Sequence, residues 1–381
     1  MVKINIILSF IYYFIMMMVG VFTYKYLWGN VSEEAFKYWV IIFELSLILM
    51  LMDFGFTQKY IKNSIYNKQS KSIELGDLRG VLIKYGVLIF LILFFYSWIV
   101  GIYKYISYFD LLLIFLSFFI NFISYAETAN LKVKEKLVKI NIAQLVSTFF
   151  FIMPILFLNF DPITNISIGM LLRSLTLYII QIEDYYFSLK GFIKPDFDAV
   201  QVNMSYFLLF TIDLLVLDFL KVDTYYLVIL GVYLKYFNVV RGVMDIVNNY
   251  LFLYINNWRF MVFSLVFTIL GYIFLGLVCD YILAYFFNDF SSFQYFSLIL
   301  CVNFILINFY RIYTNKIYYT NNSFYFNRVI LAIVFLKILF FSLMYNTNSL
   351  YVSYTFQCLL LMVLLFIINR GFFWKKAYEI K

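Results

Sequence analysis

The chain contains no histidine and few charged residues. Only 13% of its 381 residues are Asp, Glu, Lys or Arg, about half of the roughly 25% found in soluble domains. The absence of histidine excludes imidazole catalysis and metal sites built on imidazole ligands. The three cysteines, Cys279, Cys301 and Cys358, have no CxxC spacing, so we interpret them as packing residues. This composition leaves no room for a large soluble domain.

Nucleotide-binding and hydrolase motifs are also missing. The sequence has no Walker A motif, no glycine-rich dinucleotide loop, no HExxH and no GxSxG. ATP-driven pumping by the chain itself is therefore excluded. We expect a protein that is not an enzyme and has neither a cofactor nor a metal ion.

Long apolar runs make up most of what is present. Hydrophobic residues form 65% of the chain, and a membrane-spanning helix needs about 20 of them. The sequence therefore predicts an all-α polytopic membrane protein with about twelve transmembrane helices. The predicted spans are 4–24, 37–57, 80–101, 107–128, 140–159, 163–186, 200–220, 225–250, 260–280, 294–315, 329–346 and 350–369.

Lysine and arginine fall mostly on one side of these spans. One side carries twenty of them, and the other carries only Lys25, Lys37, Lys104 and Lys221. Cytoplasmic loops of membrane proteins are enriched in Lys and Arg, so this bias predicts that both termini are cytoplasmic. Because the net charge of +8 follows the same bias, we expect no nucleic-acid partner.

A polar connector divides the spans into six and six. We predict an N-terminal lobe over 1–190, a cytoplasmic linker over 191–198 and a C-terminal lobe over 199–381. The turn after the first span, Tyr26–Trp39, is similar to the turn after the seventh, Phe219–Tyr226. Two six-helix repeats related in this way are a transporter architecture.

The eighth predicted span has a polar stripe. Its members recur at spacings of three and four residues, which places them on one helical face. They are Gly231, Lys235, Asn238, Gly242, Asp245 and Asn249, with Arg241 beside the stripe. A closed seam between helices would explain the small residues. The cations, the acid and the asparagines favour the lining of a water-filled cavity.

Other polar residues interrupt the apolar runs. Ser9 and Tyr12 belong to a milder stripe on span 1, for which a cavity lining and interhelical hydrogen bonding both stay open. Arg173 and Lys337 lie near the middle of their spans, where a charge is costly and usually faces a cavity or a partner. Arg and Lys both suit phosphate.

These residues form the predicted site. The cavity cations expected to bind substrate are Arg173, Lys235, Arg241 and Lys337. The expected cavity lining is Ser9, Tyr12, Asn238, Gly242 and Asn249. The acids that could bind a coupling H⁺ or Na⁺ are Glu44, Asp213 and Asp245.

Two helix pairs carry a family resemblance. Tyr26-Leu-Trp-Gly, Glu33-Glu-Ala-Phe-Lys-Tyr-Trp39 and Leu51-Met-Asp-Phe-Gly-Phe-Thr57 are similar to the first helix pair of polysaccharide flippases of the Wzx type. Asp213 with Phe219-Leu-Lys and Tyr225-Tyr226 resembles the opening of their second lobe. That family belongs to the multidrug/oligosaccharidyl-lipid/polysaccharide (MOP) exporter superfamily. The chain departs from the family pattern at Lys37, where a glycine is common, and in its few Gly and Pro residues.

The resemblance implies a MATE/MOP-like fold of two six-helix lobes around a cationic cavity. The implied function is a flippase that moves undecaprenyl-pyrophosphate-linked oligosaccharide repeat units, of O-antigen, lipopolysaccharide or capsule type, to the outer leaflet by alternating access. The implied location is the bacterial cytoplasmic (inner) membrane. The implied partners are the lipid-linked oligosaccharide, membrane lipids and polysaccharide polymerase or assembly proteins. A membrane polysaccharide polymerase (Wzy-type) and a MATE-like cation or drug antiporter are the alternatives.

Overall fold

The structure, a computed structural model, divides into two compact units, Met1–Met204 and Ser205–Lys381. It describes residues 2–45, 53–65, 74–184, 186, 188, 193–196, 200, 212–219, 221, 227–234, 236–237, 258–286, 296–319, 334–336, 339 and 351–365. The predicted linker 191–198 falls within the first unit.

The regular secondary structure in the described part of the first unit is helical. Its helices are α1 (Val2–Trp28), α2 (Glu33–Leu45), α3 (Phe56–Ile65), α4 (Leu75–Val100), α5 (Tyr108–Val133), α6 (Leu137–Phe157) and α7 (Pro162–Gln181). Five of these helices, α1 and α4 to α7, are long and apolar enough to cross a membrane.

The turn between α1 and α2 is built by local side chains. Ser32 caps α2, because its hydroxyl accepts a hydrogen bond from the backbone N–H of Ala35 over 3.3 Å. Phe36 then packs edge-on against Tyr24 and Trp28 of α1, with ring centroids 5.6 and 5.5 Å away. The aromatic residues noted in the sequence therefore hold two helices in a hairpin.

Chain reversals between the later helices follow ordinary capping rules. Gly101 ends α4 in the left-handed region, at φ 78°, where glycine avoids the steric cost of a Cβ. Ser107 caps α5 by accepting from the N–H of Asp110 over 3.1 Å. Asp161 caps α7, and Pro162 follows at the first helical position, where its missing N–H costs nothing.

Helix α7 packs closely against α5 and α6 within the first unit. Close approach to α6 requires the glycine at position 169. A Cβ there would lie 2.4 Å from the carbonyl oxygen of Phe151. Small residues that let helix backbones approach closely are common in membrane proteins.

The described helices of the second unit are Ile212–Phe219, 227–234, Trp258–Phe286, Phe296–Tyr319 and Tyr351–Leu365. Buried polar pairs join them. Tyr233 and Ser297 both donate to the carboxylate of Asp280, over 3.0 and 2.7 Å. Asn308 donates to the hydroxyl of Tyr272 over 2.7 Å.

Three predicted boundaries are wrong. The span 37–57 ends before Asp53, because Phe54 and Gly55 have φ of 46° and 71° and a separate helix begins at Phe56. Arg79, predicted in a loop, is a buried residue of α4. The predicted span 260–280 continues to Phe286, so Asp280 lies inside the helix, where Tyr233 and Ser297 donate to its carboxylate.

Candidate functional site

Arg173 and Tyr12, both predicted as site residues, lie together in the first unit. Arg173 is the twelfth residue of the 20-residue helix α7, and Tyr12 is a buried residue of α1. The guanidinium donates from Nη2 to the Tyr12 hydroxyl oxygen over 3.3 Å. The contact brings one predicted cavity cation and one predicted lining residue into a single group.

Among the described residues, the side-chain hydrogen-bond partner of Arg173 is a neutral group. Arg173 is half-buried, and no acidic side chain within the described ranges forms an ion pair with it. A guanidinium carries five N–H donors in a planar fork that matches phosphate or carboxylate. A neutral phenol satisfies only part of that capacity and adds no negative charge.

Ser9, one helical turn before Tyr12, has a different setting. Its hydroxyl donates to the side-chain oxygen of Asn141 on α6 over 3.0 Å, and both residues are buried. For the span 1 stripe the sequence allowed either a cavity lining or interhelical hydrogen bonding. At Ser9 the contact is an interhelical hydrogen bond. The span 1 stripe thus holds α1 against α6 at Ser9 and contacts the Arg173 guanidinium at Tyr12.

Among the three candidate coupling acids, Asp213 is fully described. It lies in the helix Ile212–Phe219 and is buried, and its carboxylate accepts a hydrogen bond from the Tyr354 hydroxyl. Glu44 lies in α2, but its side chain is outside the described residues.

Most of the predicted span 8 site lies outside the described residues. They are Lys235, Asn238, Arg241, Gly242, Asp245 and Asn249, and Lys337 of the predicted span 329–346 also lies outside. Gly231, the first member of the stripe, is described and is buried in the helix 227–234.

A buried ion pair joins α4 to α5 in the first unit, and sequence reasoning missed it. Arg79 donates from Nε and Nη2 to the two carboxylate oxygens of Glu127 over 2.6 and 2.8 Å, and both side chains are almost fully buried. Its third arm, Nη1, donates to the backbone carbonyl of Tyr186 over 2.6 Å. The available signal was Glu127, a carboxylate inside the predicted span 107–128. Arg79 lies just before the predicted span 80–101, where it has the appearance of a loop cation.

The Leu51–Thr57 motif has a local structural role. The carboxylate of Asp53 accepts from the backbone N–H and the hydroxyl of Thr57, which caps α3. Phe54 and Phe56 pack around Tyr85 of α4, with centroid distances of 4.9 and 5.2 Å. The motif therefore makes a tight turn and fixes it against α4.

Three lysines surround Glu183, just beyond the end of α7. Nζ of Lys134, Lys136 and Lys139 lie 2.9, 2.6 and 3.5 Å from its carboxylate oxygens. Hydrogen bonds from Lys136 and Lys134 lower the pKa of Glu183 to about 2. The same contact raises the pKa of Lys134. The group therefore stays fully charged at neutral pH.

No protein-family model matches the chain, and no curated protein sequence does so either. A solved structure does match. It is described as the inward-facing conformation of a multidrug resistance MATE family transporter of the MOP superfamily. The TM-score is 0.52, at 11% sequence identity, over 94% of this chain and 94% of that chain. At that identity the likeness concerns the fold. It confirms the predicted fold class, an all-α multi-pass membrane protein with a MATE/MOP-like fold.

Proposed function

We propose that the chain is a flippase for lipid-linked oligosaccharides. Its substrate class is a polyprenyl-pyrophosphate carrying a sugar repeat unit, taken from the cytoplasmic to the outer leaflet. The polyprenyl tail stays in the bilayer while the charged head enters a cavity in the protein. We place the protein in a bacterial cytoplasmic membrane with both termini inside, because the Lys and Arg residues favour that orientation.

The observation that carries the proposal is Arg173. An arginine near the middle of a membrane-spanning helix costs at least about 2.5 kcal/mol by insertion scales, so such residues usually mark a substrate or ion path. Arg173 is half-buried and is bonded to a neutral phenol. A pyrophosphate would supply negative charge and acceptors that the side chains in the described part of the chain do not give Arg173.

The chemistry required of the protein is binding and release. Arg173 neutralises a phosphate, and the Tyr12 hydroxyl holds the guanidinium in place and can itself donate to a phosphate oxygen. Lys235, Arg241 and Lys337 would add further positive charge. A MATE/MOP fold suits this task, since rocking of two helical halves exposes a central site to each side in turn.

Deletion of the gene followed by location of the lipid-linked repeat unit tests the proposal. Accumulation on the cytoplasmic leaflet, with the polymerising enzymes intact, is the expected result. Translocation that continues while chain extension stops would instead identify a polymerase.

A second candidate is a cation-coupled antiporter. Two observations favour it: the likeness to a MATE family transporter and the buried carboxylate of Asp213 next to Tyr354. Cationic drugs require acids in the cavity, whereas a lipid pyrophosphate requires bases. Replacing Asp213 with Asn should abolish drug export in the first case. In a flippase the same change should affect at most the dependence on an H⁺ or Na⁺ gradient.

A further inference from the structure

The chain that leaves α7 is held on the surface of the first unit. Its described residues are 182–184, 186, 188 and 193–196, and we refer to them as the strap. None of them is helical. Three separate groups of contacts fix the strap to the helices of the first unit.

The first anchor is Glu183. It pairs with Lys134 and Lys136 over 2.9 and 2.6 Å, and these lysines lie in the short connection between α5 and α6. Lys139 also donates to the carbonyl of Ile182 over 3.5 Å. The start of the strap is therefore held by charge at the junction of two helices.

The second anchor is built on Tyr186 and Ser188. Arg79 donates to the Tyr186 carbonyl, and Ser188 donates its N–H to the Gly76 carbonyl over 3.0 Å. The Tyr186 ring covers Gly76 so closely that a Cβ there would lie 2.6 Å from it. Because Arg79 is also paired with buried Glu127, this anchor is connected to the interior of the unit.

The third anchor is at the far end of the strap. Asp196 donates its N–H to the carbonyl of Phe54 over 3.0 Å, and Lys59 donates from Nζ to the carbonyl of Lys194 over 2.9 Å. Ile193 is buried. Phe54 belongs to the tight turn before α3, so this turn also binds the far end of the strap.

We propose that the strap is a fixed part of the first unit and keeps its three anchors throughout the transport cycle. On this proposal, the described residues between Ile182 and Asp196 do not move relative to the helices of the first unit. The predicted linker 191–198 would then be rigid over its described portion and would not act as a hinge there. This inference rests on the proposed function in one respect, since it assumes a cycle in which two halves of the chain move.

Covalent linkage of the strap to α3 tests the proposal. In a background with Cys279, Cys301 and Cys358 replaced by Ala, Lys59→Cys and Lys194→Cys are joined by a bifunctional maleimide about as long as a lysine side chain. The matched control joins Lys59→Cys to Lys62→Cys, one turn apart on the same helix α3. Transport of a lipid-linked oligosaccharide is measured before and after linkage.

The protein with the linked strap should transport the lipid-linked oligosaccharide at a rate within about twofold of that of the unlinked protein. The linked control should behave in the same way. A loss above about tenfold in the strap pair, with the control still active, would show that the strap must move. If the unlinked protein does not transport at all, the proposed function fails, and linkage yield becomes the readout. Equal yields with and without an H⁺ or Na⁺ gradient support the fixed strap, and a fivefold fall in either condition overturns it.

Discussion

Arg173 donates a hydrogen bond to Tyr12 over 3.3 Å and thereby joins the middle of α7 to α1. The two residues are 161 positions apart in the chain. A cation held by a neutral group keeps its charge available for a ligand. This geometry is the basis for the first prediction.

Replacing Arg173 with Gln should reduce transport of a lipid-linked pyrophosphate by more than about tenfold, because hydrogen bonds to charged groups contribute about 1.5–3 kcal/mol. Arg173→Lys should retain part of the rate, since a lysine supplies the charge without the fork. Tyr12→Phe should reduce the transport rate by less, about threefold. The rates are measured per molecule of folded protein in vesicles.

The control for this series is Lys104→Gln, a charge removal in the short turn after α4. It should leave the rate unchanged. An Arg173→Gln protein that transports as fast as the wild type would remove Arg173 from the site.

Breaking the Arg79–Glu127 pair should destabilise the first unit. Removing one partner leaves a buried charge without its counter-ion, at a cost of about 3–5 kcal/mol. Either Arg79→Gln or Glu127→Gln should therefore lower the thermal unfolding temperature in detergent. In the double variant the loss should be clearly smaller than the sum of the single losses, since both charges are then absent. Additive losses would mean that the two side chains act independently.

The strap should respond to acid through Glu183. The pKa of Glu183 in the folded protein, about 2, lies below the ordinary value of 4.5. The ionised carboxylate therefore stabilises the strap fully above pH 4.5, and this stabilisation is lost as the pH falls from 4.5 towards 2. Hydrogen exchange of the strap amides should differ between wild type and Glu183→Gln at pH 7. The difference should stay constant down to about pH 5 and shrink below about 4.5. A difference that disappears between pH 8 and pH 6 would show that another group controls the strap.

Gly169→Ala should weaken the contact of α7 with α6. The added Cβ meets the backbone of Phe151, which has no room to move away without separating the helices. Gly29→Ala is the matched control, because a Cβ at that position meets nothing within 4 Å. The yield of monodisperse protein should fall for Gly169→Ala and remain unchanged for Gly29→Ala.

Several features could be predicted from the sequence because they depend on local pattern. Long apolar runs predict α4, α5, α6 and α7, since a backbone in lipid must satisfy its own hydrogen bonds. The positions of the apolar runs predict an all-α multi-pass membrane protein, and the resemblance at the first helix pair implies a MATE/MOP-like fold. The likeness to the solved transporter confirms that fold. Tyr12 and Arg173 were both predicted as site residues, but the hydrogen bond between them was not predicted.

Contacts between distant residues were harder to predict. Arg79 near a helix start has the same appearance in sequence as a loop cation, and only its pairing with Glu127 makes it a buried residue. The anchors of Tyr186 and Asp196 use backbone atoms, which carry no sequence signal. Asp53 looks like a family motif, and its role in capping α3 depends on the left-handed turn at Phe54 and Gly55.

The most direct test of the flippase proposal uses purified protein in liposomes with a lipid-linked pyrophosphate oligosaccharide. Arrival of the sugar head on the opposite leaflet is followed with an impermeant glycan-modifying reagent. Wild-type protein should move the head much faster than empty liposomes do, and Arg173→Gln should reduce that rate by more than about tenfold. Movement by the wild type that is no faster than in empty liposomes, with the protein folded and oriented, would contradict the proposed function.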